Sequence, residues 1–328
     1  MKSLFFMHTI KLYRYLIAWR VNTPMVRLPL DFSASISYTL GHAIADVLST
    51  KDARLWRKHL DTDKQVLFQT PTTNKEIYPE KPWPIHSIIL PHTTKRNYCQ
   101  GEVILWELKL IGDSADHGFF LEAILPAMEK LSYTEINDRH SRMNVWGHFD
   151  VLSVWAANGN KWEPIVQEAE LNLRYNPKPL QWNSHLTDNF YQNQLTHKTR
   201  MVWLKPFEFD IESLSQMKDR FIPDLPRIIE SVVRRWSYFT SMRIQKDIWD
   251  LVPPSMLVQV KKAWEISTNM RILSYNLIPA LKHEPGLWAG EVTYESIPEF
   301  LLPYLDMAAI FHVGKKTHYG CGTFAMCQ

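Results

Sequence analysis

The chain has 328 residues, 45% hydrophobic and 22% charged. That balance excludes a disordered, collagen-like or coiled-coil chain and, at about 100–200 residues per domain, predicts two domains. A net charge of +3 is too small to argue for nucleic acid by itself. Three cysteines, Cys99, Cys321 and Cys327, exclude a dense disulfide framework and suit a reducing compartment.

The apolar-rich stretch from Leu4 to Ile17 is interrupted by Lys11 and Arg14. It reads neither as a membrane span, which needs about 20 apolar residues, nor as a secretory signal, so a cytoplasmic protein without membrane contact is expected. Lys11 to Met25 reads as a strand that ends at Asn22-Thr23-Pro24. From Ser35 to Leu48, apolar residues Ile36, Leu40, Ala43, Ile44, Val47 and Leu48 recur at helical spacing. Pro71, Pro79, Pro82, Pro84 and Pro91 then restrict the chain to loop or sheet edge. Gly101 to Ile111 reads as a strand, Phe119 to Leu131 as a helix with Pro126 as a break or kink, and Val145 to Ala156 as another strand. Residues 1–166 therefore predict an α+β domain, and the polar, proline-punctuated 167–194 a linker.

Residues 195–328 repeat the order without a strict sequence repeat. Lys198 to Phe209 reads as a strand broken at Lys205-Pro206. Leu225 to Met242 reads as a helix with Pro226 in its first turn, where a missing N–H costs nothing. Trp288 to Tyr294 reads as a strand, Pro298 to His312 as a helix, and Cys321 to Met326 as a closing strand.

The sharpest local feature is Val313 to Gly322, VGKKTHYGCG. Only 11 glycines occur in the chain, yet Gly314, Gly320 and Gly322 fall here beside Lys315 and Lys316. Glycines permit positive φ, and successive amides with two ammonium groups make a candidate phosphate cradle. The alternative is a helix-to-strand turn with solvated lysines. The order of Gly and Lys is not that of a Walker loop.

A helix, a Gly-Lys-Lys turn and Gly-x-Gly entering the last strand resemble the C-terminal signature of the RAMP superfamily. The closest likeness is to the Cas6 endoribonucleases that process CRISPR precursor RNA. Further pieces follow in order along the chain: Tyr38-Thr39-Leu40-Gly41-His42-Ala43, Pro82-Trp83-Pro84-Ile85, Tyr98-Cys99-Gln100-Gly101-Glu102, Val232-Val233-Arg234-Arg235-Trp236 and Trp288-Ala289-Gly290-Glu291-Val292-Thr293-Tyr294. The chain departs from the family pattern where Tyr38-Thr39 stands for an arginine, and where His318-Tyr319 and Cys321 enter the loop. The resemblance implies two tandem ferredoxin-like domains and RNA, a CRISPR repeat transcript or its guide-RNA product, as partner. It implies cleavage without a cofactor or metal, by 2′-hydroxyl attack that leaves a 2′,3′-cyclic phosphate and a 5′-hydroxyl. Such chemistry asks for a base, an acid and cations on the phosphorane.

Tyr38 and His42 are four apart on one helix face, opposite the apolar stripe. An imidazole titrates near pH 6.5 and suits either proton role. His42 with Tyr38 as partner is the first catalytic candidate, and His312 the second; the alternative is a half-packed histidine. His318 and Lys51 are candidate RNA or phosphorane contacts, alongside the loop's glycines and lysines. Joining His312 and His318 to Cys321 and Cys327 would make a metal site, but the paired spacing usual for zinc is missing. Arg227, Arg234, Arg235, Arg243 and Lys246 against Glu230 make a basic helix interleaved with aromatics, a candidate RNA face. Two rival readings remain: a RAMP-fold subunit that holds guide RNA in an effector complex with other Cas subunits without cutting, and an enzyme acting on phosphorylated small molecules.

Overall fold

The computed structural model describes residues 10–67, 81–132, 147–159, 161–168, 170–179, 198–209, 222–239, 248–252, 254–281 and 284–327. The chain divides into a unit spanning Lys11–Leu180 and a second built on 181–328.

In the first unit, strand β1 (Leu12–Val21) is followed by the short β2 (Met25–Arg27), helix α1 (Phe32–Val47) and helix α2 (Thr50–Leu67). Then come β3 (Ser87–Pro91), β4 (Asn97–Cys99), β5 (Val103–Ile111), a helical segment from His117 to Ser132, β6 (Phe149–Asn158), β7 (Lys161–Gln167) and β8 (Glu170–Leu171). The main sheet runs β3-β5-β1-β6-β7-β8 and every pairing in it is antiparallel. Its first four strands have the ferredoxin-like order, in which each of two helical crossovers skips one strand, from β1 to β3 with β5 between them and from β5 to β6 with β1 between them. Tyr15, Ile17 and Trp19 on β1 face the same way as Trp106 and Leu108 on β5, and pack under Ile36, Leu40 and Ile44 of α1. Period-two alternation in the strands and the 3.6-residue period in the helix produce this shared core.

Sequence reasoning overlooked α2, although Ala53, Trp56 and Leu60 are all buried at helical spacing. Pro126 does disturb its helix, as expected. The segment runs as α3 (His117–Phe119), a π turn over Phe120–Ile124 and α4 (Leu125–Ser132). Proline has no N–H to give to the carbonyl one turn back and its ring crowds that carbonyl, so the ladder shifts register just before it. Residues 167–179 include β8, which pairs with β7, so this part of the expected linker adds to the first sheet.

The second unit contains β9 (Thr199–Phe207), α5 (Leu225–Phe239), α6 (Pro254–Thr268), β10 (Ile272–Pro279), β11 (Trp288–Tyr294), α7 (Leu302–Phe311) and β12 (Phe324–Cys327). Its sheet runs β10-β11-β9-β12, antiparallel throughout, which is the same ferredoxin-like order. β9 continues through Lys205-Pro206 rather than breaking there. The sequence reading lacked α6 and β10, the elements that complete the repeat. The chain is thus an α+β protein with two tandem ferredoxin-like units.

Candidate functional site

Asp31 opens α1 by accepting a hydrogen bond from the Ala34 amide at 3.1 Å, a cap worth about 1 kcal/mol. The helix buries Ile36, Leu40, Ala43 and Ile44. A second flank is clamped by Trp83, whose indole Nε1 donates to the Ser37 carbonyl at 3.1 Å. Gly41 permits this approach: a Cβ there would lie 2.8 Å from Leu60 Cδ2 and 2.9 Å from Trp83 Nε1. With two flanks fixed, Tyr38 and His42 project together on the remaining, half-buried face. Their rings meet edge to face, 4.5 Å between centroids and 69° between planes. The spacing of four residues does put the two side chains in contact.

Lys51 is exposed in the first turn of α2, just after α1. It shares one exposed face of α2 with Arg54 and Lys58, at intervals of three and four residues. Recognising α2 in the sequence would have revealed this cationic row.

On the opposite face of the first sheet, Glu107 and Lys109 are each only 3% exposed. Arg14 Nε donates to Glu107 Oε1 at 2.5 Å, and His92 Nε2 lies 3.7 Å from Oε2. Burial alone would push the Glu107 carboxyl up, but Lys109, Arg14 and the hydrogen bonds from His92 and Arg14 hold it well below the usual range. On the helix-covered face of the same sheet, Tyr15 OH and His117 Nδ1 are 3.1 Å apart, and burial lowers the imidazole pKa.

The glycine-rich loop differs most from expectation. Gly314 N donates to Ser231 Oγ at 2.8 Å, Lys315 N to Glu208 O at 2.7 Å, Gly320 N to Thr317 O at 3.0 Å and Gly322 N to Pro206 O at 2.9 Å. These four amides are satisfied inside the protein, which corrects the phosphate-cradle reading at Gly314, Gly320 and Gly322. Gly322 has φ +72° and its Cβ position lies 1.8 Å from the Val313 carbonyl oxygen, so glycine is required there for close approach. Lys316 is also engaged internally, its Nζ 2.8 Å from Glu208 Oε2 with both side chains largely buried. His312 is 0% exposed at the end of α7, and His318 is 3% exposed against Tyr319. Burial removes His312 as a proton shuttle to a docked substrate and His318 as an RNA contact. A glycine-rich loop looks the same in sequence whether its amides face a ligand or the protein's own carbonyls; here β9 and α5 supply the acceptors. Lys315 keeps a half-exposed side chain.

Arg235 is likewise held within the fold, since its Nε donates to the Phe311 carbonyl at the end of α7 at 2.9 Å and its guanidinium lies 5.0 Å from the Phe239 ring. Arg227 and Arg234 are half-exposed on the outer stripe of α5, and Arg227 Nε lies 3.9 Å from Asp224 Oδ1. Arg243 and Lys246 fall outside the described residues. Among the described residues no group of three or more His, Cys, Asp or Glu is gathered as for a metal ion, and no helix is long and apolar enough to cross a membrane.

The chain is thus of the class built from two tandem ferredoxin-like units, here with cationic helices and an ordered Tyr–His pair. Residues 203–324 match the family model described as CRISPR-associated endoribonuclease Cas6. A partial Cas6-RT-Cas1–Cas2 complex shares the fold at TM-score 0.51 and 13% identity, over 97% of this chain and 46% of that one. A Cas6 product complex aligns at TM-score 0.48 and 15% identity, over 97% and 99%. Thermus thermophilus Cas6 aligns at TM-score 0.43 and 15% identity, again over 97% and 99%. A comparison with curated protein sequences gives no match.

Proposed function

We propose that this chain cuts CRISPR repeat RNA by attack of a 2′-hydroxyl on the adjacent phosphorus. The new O2′–P bond forms as the P–O5′ bond breaks, leaving a 2′,3′-cyclic phosphate and a 5′-hydroxyl. The nucleophile belongs to the substrate, so the protein supplies alignment, proton transfer and charge, and the reaction proceeds without a metal ion. The observation that carries the reading is the Tyr38–His42 contact on the half-buried face of α1, held by the clamp of Trp83 and Leu60. His42 exchanges a proton with the 2′-hydroxyl or the 5′-oxygen, and Tyr38 orients the imidazole through its ring edge. Lys51 and Lys315, with Arg227 and Arg234, hold phosphates. The partner is the repeat transcript and its guide-RNA product. Relatives found in larger assemblies support association with other Cas proteins, and a chain of this kind works in the cytoplasm.

The test is a labelled repeat RNA incubated with the protein in EDTA. The expected result is a single cut with a cyclic-phosphate end, lost in His42→Ala with binding retained. Wild type that binds but never cuts would refute the nuclease reading and leave a guide-RNA-holding subunit. Cutting that requires added magnesium would refute the metal-independent step.

A further inference from the structure

α6 has two unlike sides. Inward, Met256, Val260 and Ala263 are buried, and Met256 and Val260 close, with Val232 and Trp236 of α5, around a small apolar cavity. Outward, the exposed Lys261 and the half-exposed Trp264 stand three residues apart on one stripe. Trp264 Nε1 donates to Glu230 Oε1 of α5 at 3.0 Å. Its ring meets Trp249 edge-on, 5.7 Å between centroids at 89°, and Lys261 Nζ lies 5.5 Å from the Trp249 ring centre. On the neighbouring flank Lys262 Nζ lies 5.2 Å from the ring of Phe300, itself 38% exposed.

Glu230 belongs to the α5 stripe that carries Arg227 and Arg234, one helical turn to either side. Two half-exposed tryptophans therefore sit beside a row of cations. Among the described residues no carboxylate pairs with Lys261, Lys262 or Arg234.

We propose that the seam between α5 and α6 is a platform for single-stranded RNA. An unpaired base stacks on the Trp249–Trp264 pair while Arg227, Arg234 and Lys261 hold the flanking phosphates. Stacking asks for an open base face, which a duplex withholds. Indole faces serve any base, so the platform grips flanking sequence without choosing it, whereas cleavage is chosen at the scissile phosphate. The inference rests on the RNA-processing reading above.

The experiment measures binding of a short oligouridine and of a blunt RNA duplex across a salt series, together with repeat cleavage. Trp249→Ala is expected to weaken oligouridine binding by roughly 5- to 100-fold. Trp249→Phe, which keeps packing and an aromatic face, should stay near wild type and guard against misfolding. Lys261→Glu should lower the salt slope for oligouridine by about one. Oligouridine bound equally by wild type, Trp249→Ala and Lys261→Glu, with repeat cleavage intact, would overturn the platform and leave the nuclease reading standing. Losses confined to the duplex would overturn the single-strand assignment. Wild type that neither binds nor cuts RNA would overturn both.

Discussion

Replacing Gly322 by alanine separates a loop built to hold the fold from one built to hold phosphate. The new Cβ would begin 1.8 Å from the Val313 oxygen, at φ +72°. Left-handed backbone costs an L-residue about 1–2 kcal/mol. Relief to ordinary contact requires a shift of more than 1 Å, because real Cβ atoms essentially never approach closer than 3.0 Å. A shift of that size breaks the Val313 N–Gly322 O bond of 3.2 Å or the Gly322 N–Pro206 O bond of 2.9 Å. A buried amide or carbonyl left without its partner costs about 1–3 kcal/mol. The sum is about 2–5 kcal/mol, a large part of the 5–15 kcal/mol, roughly, that stabilises a domain. Each kcal/mol shifts a melting temperature by about 2–4 °C at this size, so thermal unfolding followed by circular dichroism should fall by roughly 4–20 °C. RNA affinity, measured well below the transition, should change little. A melting temperature matching wild type, together with lost RNA binding, would refute the assignment of this glycine to packing.

Single-turnover cleavage should slow by about 10²–10⁴-fold in His42→Ala and less in Tyr38→Phe, which keeps the ring edge against the imidazole; an unchanged rate in His42→Ala would remove α1 from the chemistry. Gly41→Val drives a branched side chain at Leu60 and Trp83, so α1 should shift, stability should drop by about 1–3 kcal/mol, and cleavage should fall further than denaturant titration explains. Glu107→Gln leaves Arg14 and Lys109 without their buried counter-charge, a loss of about 3–5 kcal/mol at neutral pH. Because the folded Glu107 carboxyl titrates well below its unfolded value, its stabilisation is complete above about pH 4.5 and is lost as pH falls through the folded pKa. Acid unfolding curves of wild type and Glu107→Gln should therefore converge at low pH, and a constant gap would refute the network.

Local pattern carried much of the architecture. β11 runs from Trp288 to Tyr294, the bounds read from the sequence, and α1 and α5 lie where their apolar stripes put them. The Tyr38–His42 contact was also legible, because two residues four apart on a helix meet wherever the helix goes. α2, α6 and β10 were missed. β10 in particular is exposed along most of its length, and its edge position gives little hydrophobic signal.

The fate of the loop was a tertiary matter. Whether the Gly314 and Gly322 amides face a ligand or a carbonyl depends on Ser231 and Pro206, which arrive from distant sequence. Lys316 meets Glu208 across 108 residues, and Arg235 meets Phe311 across 76. Nothing local shows that those cations already have partners, and charge alone made them look available. Residue order dictates which groups a helix face or strand face presents, since that follows from backbone period; which of those groups remain available depends on long-range partners, and only the folded chain brings these together.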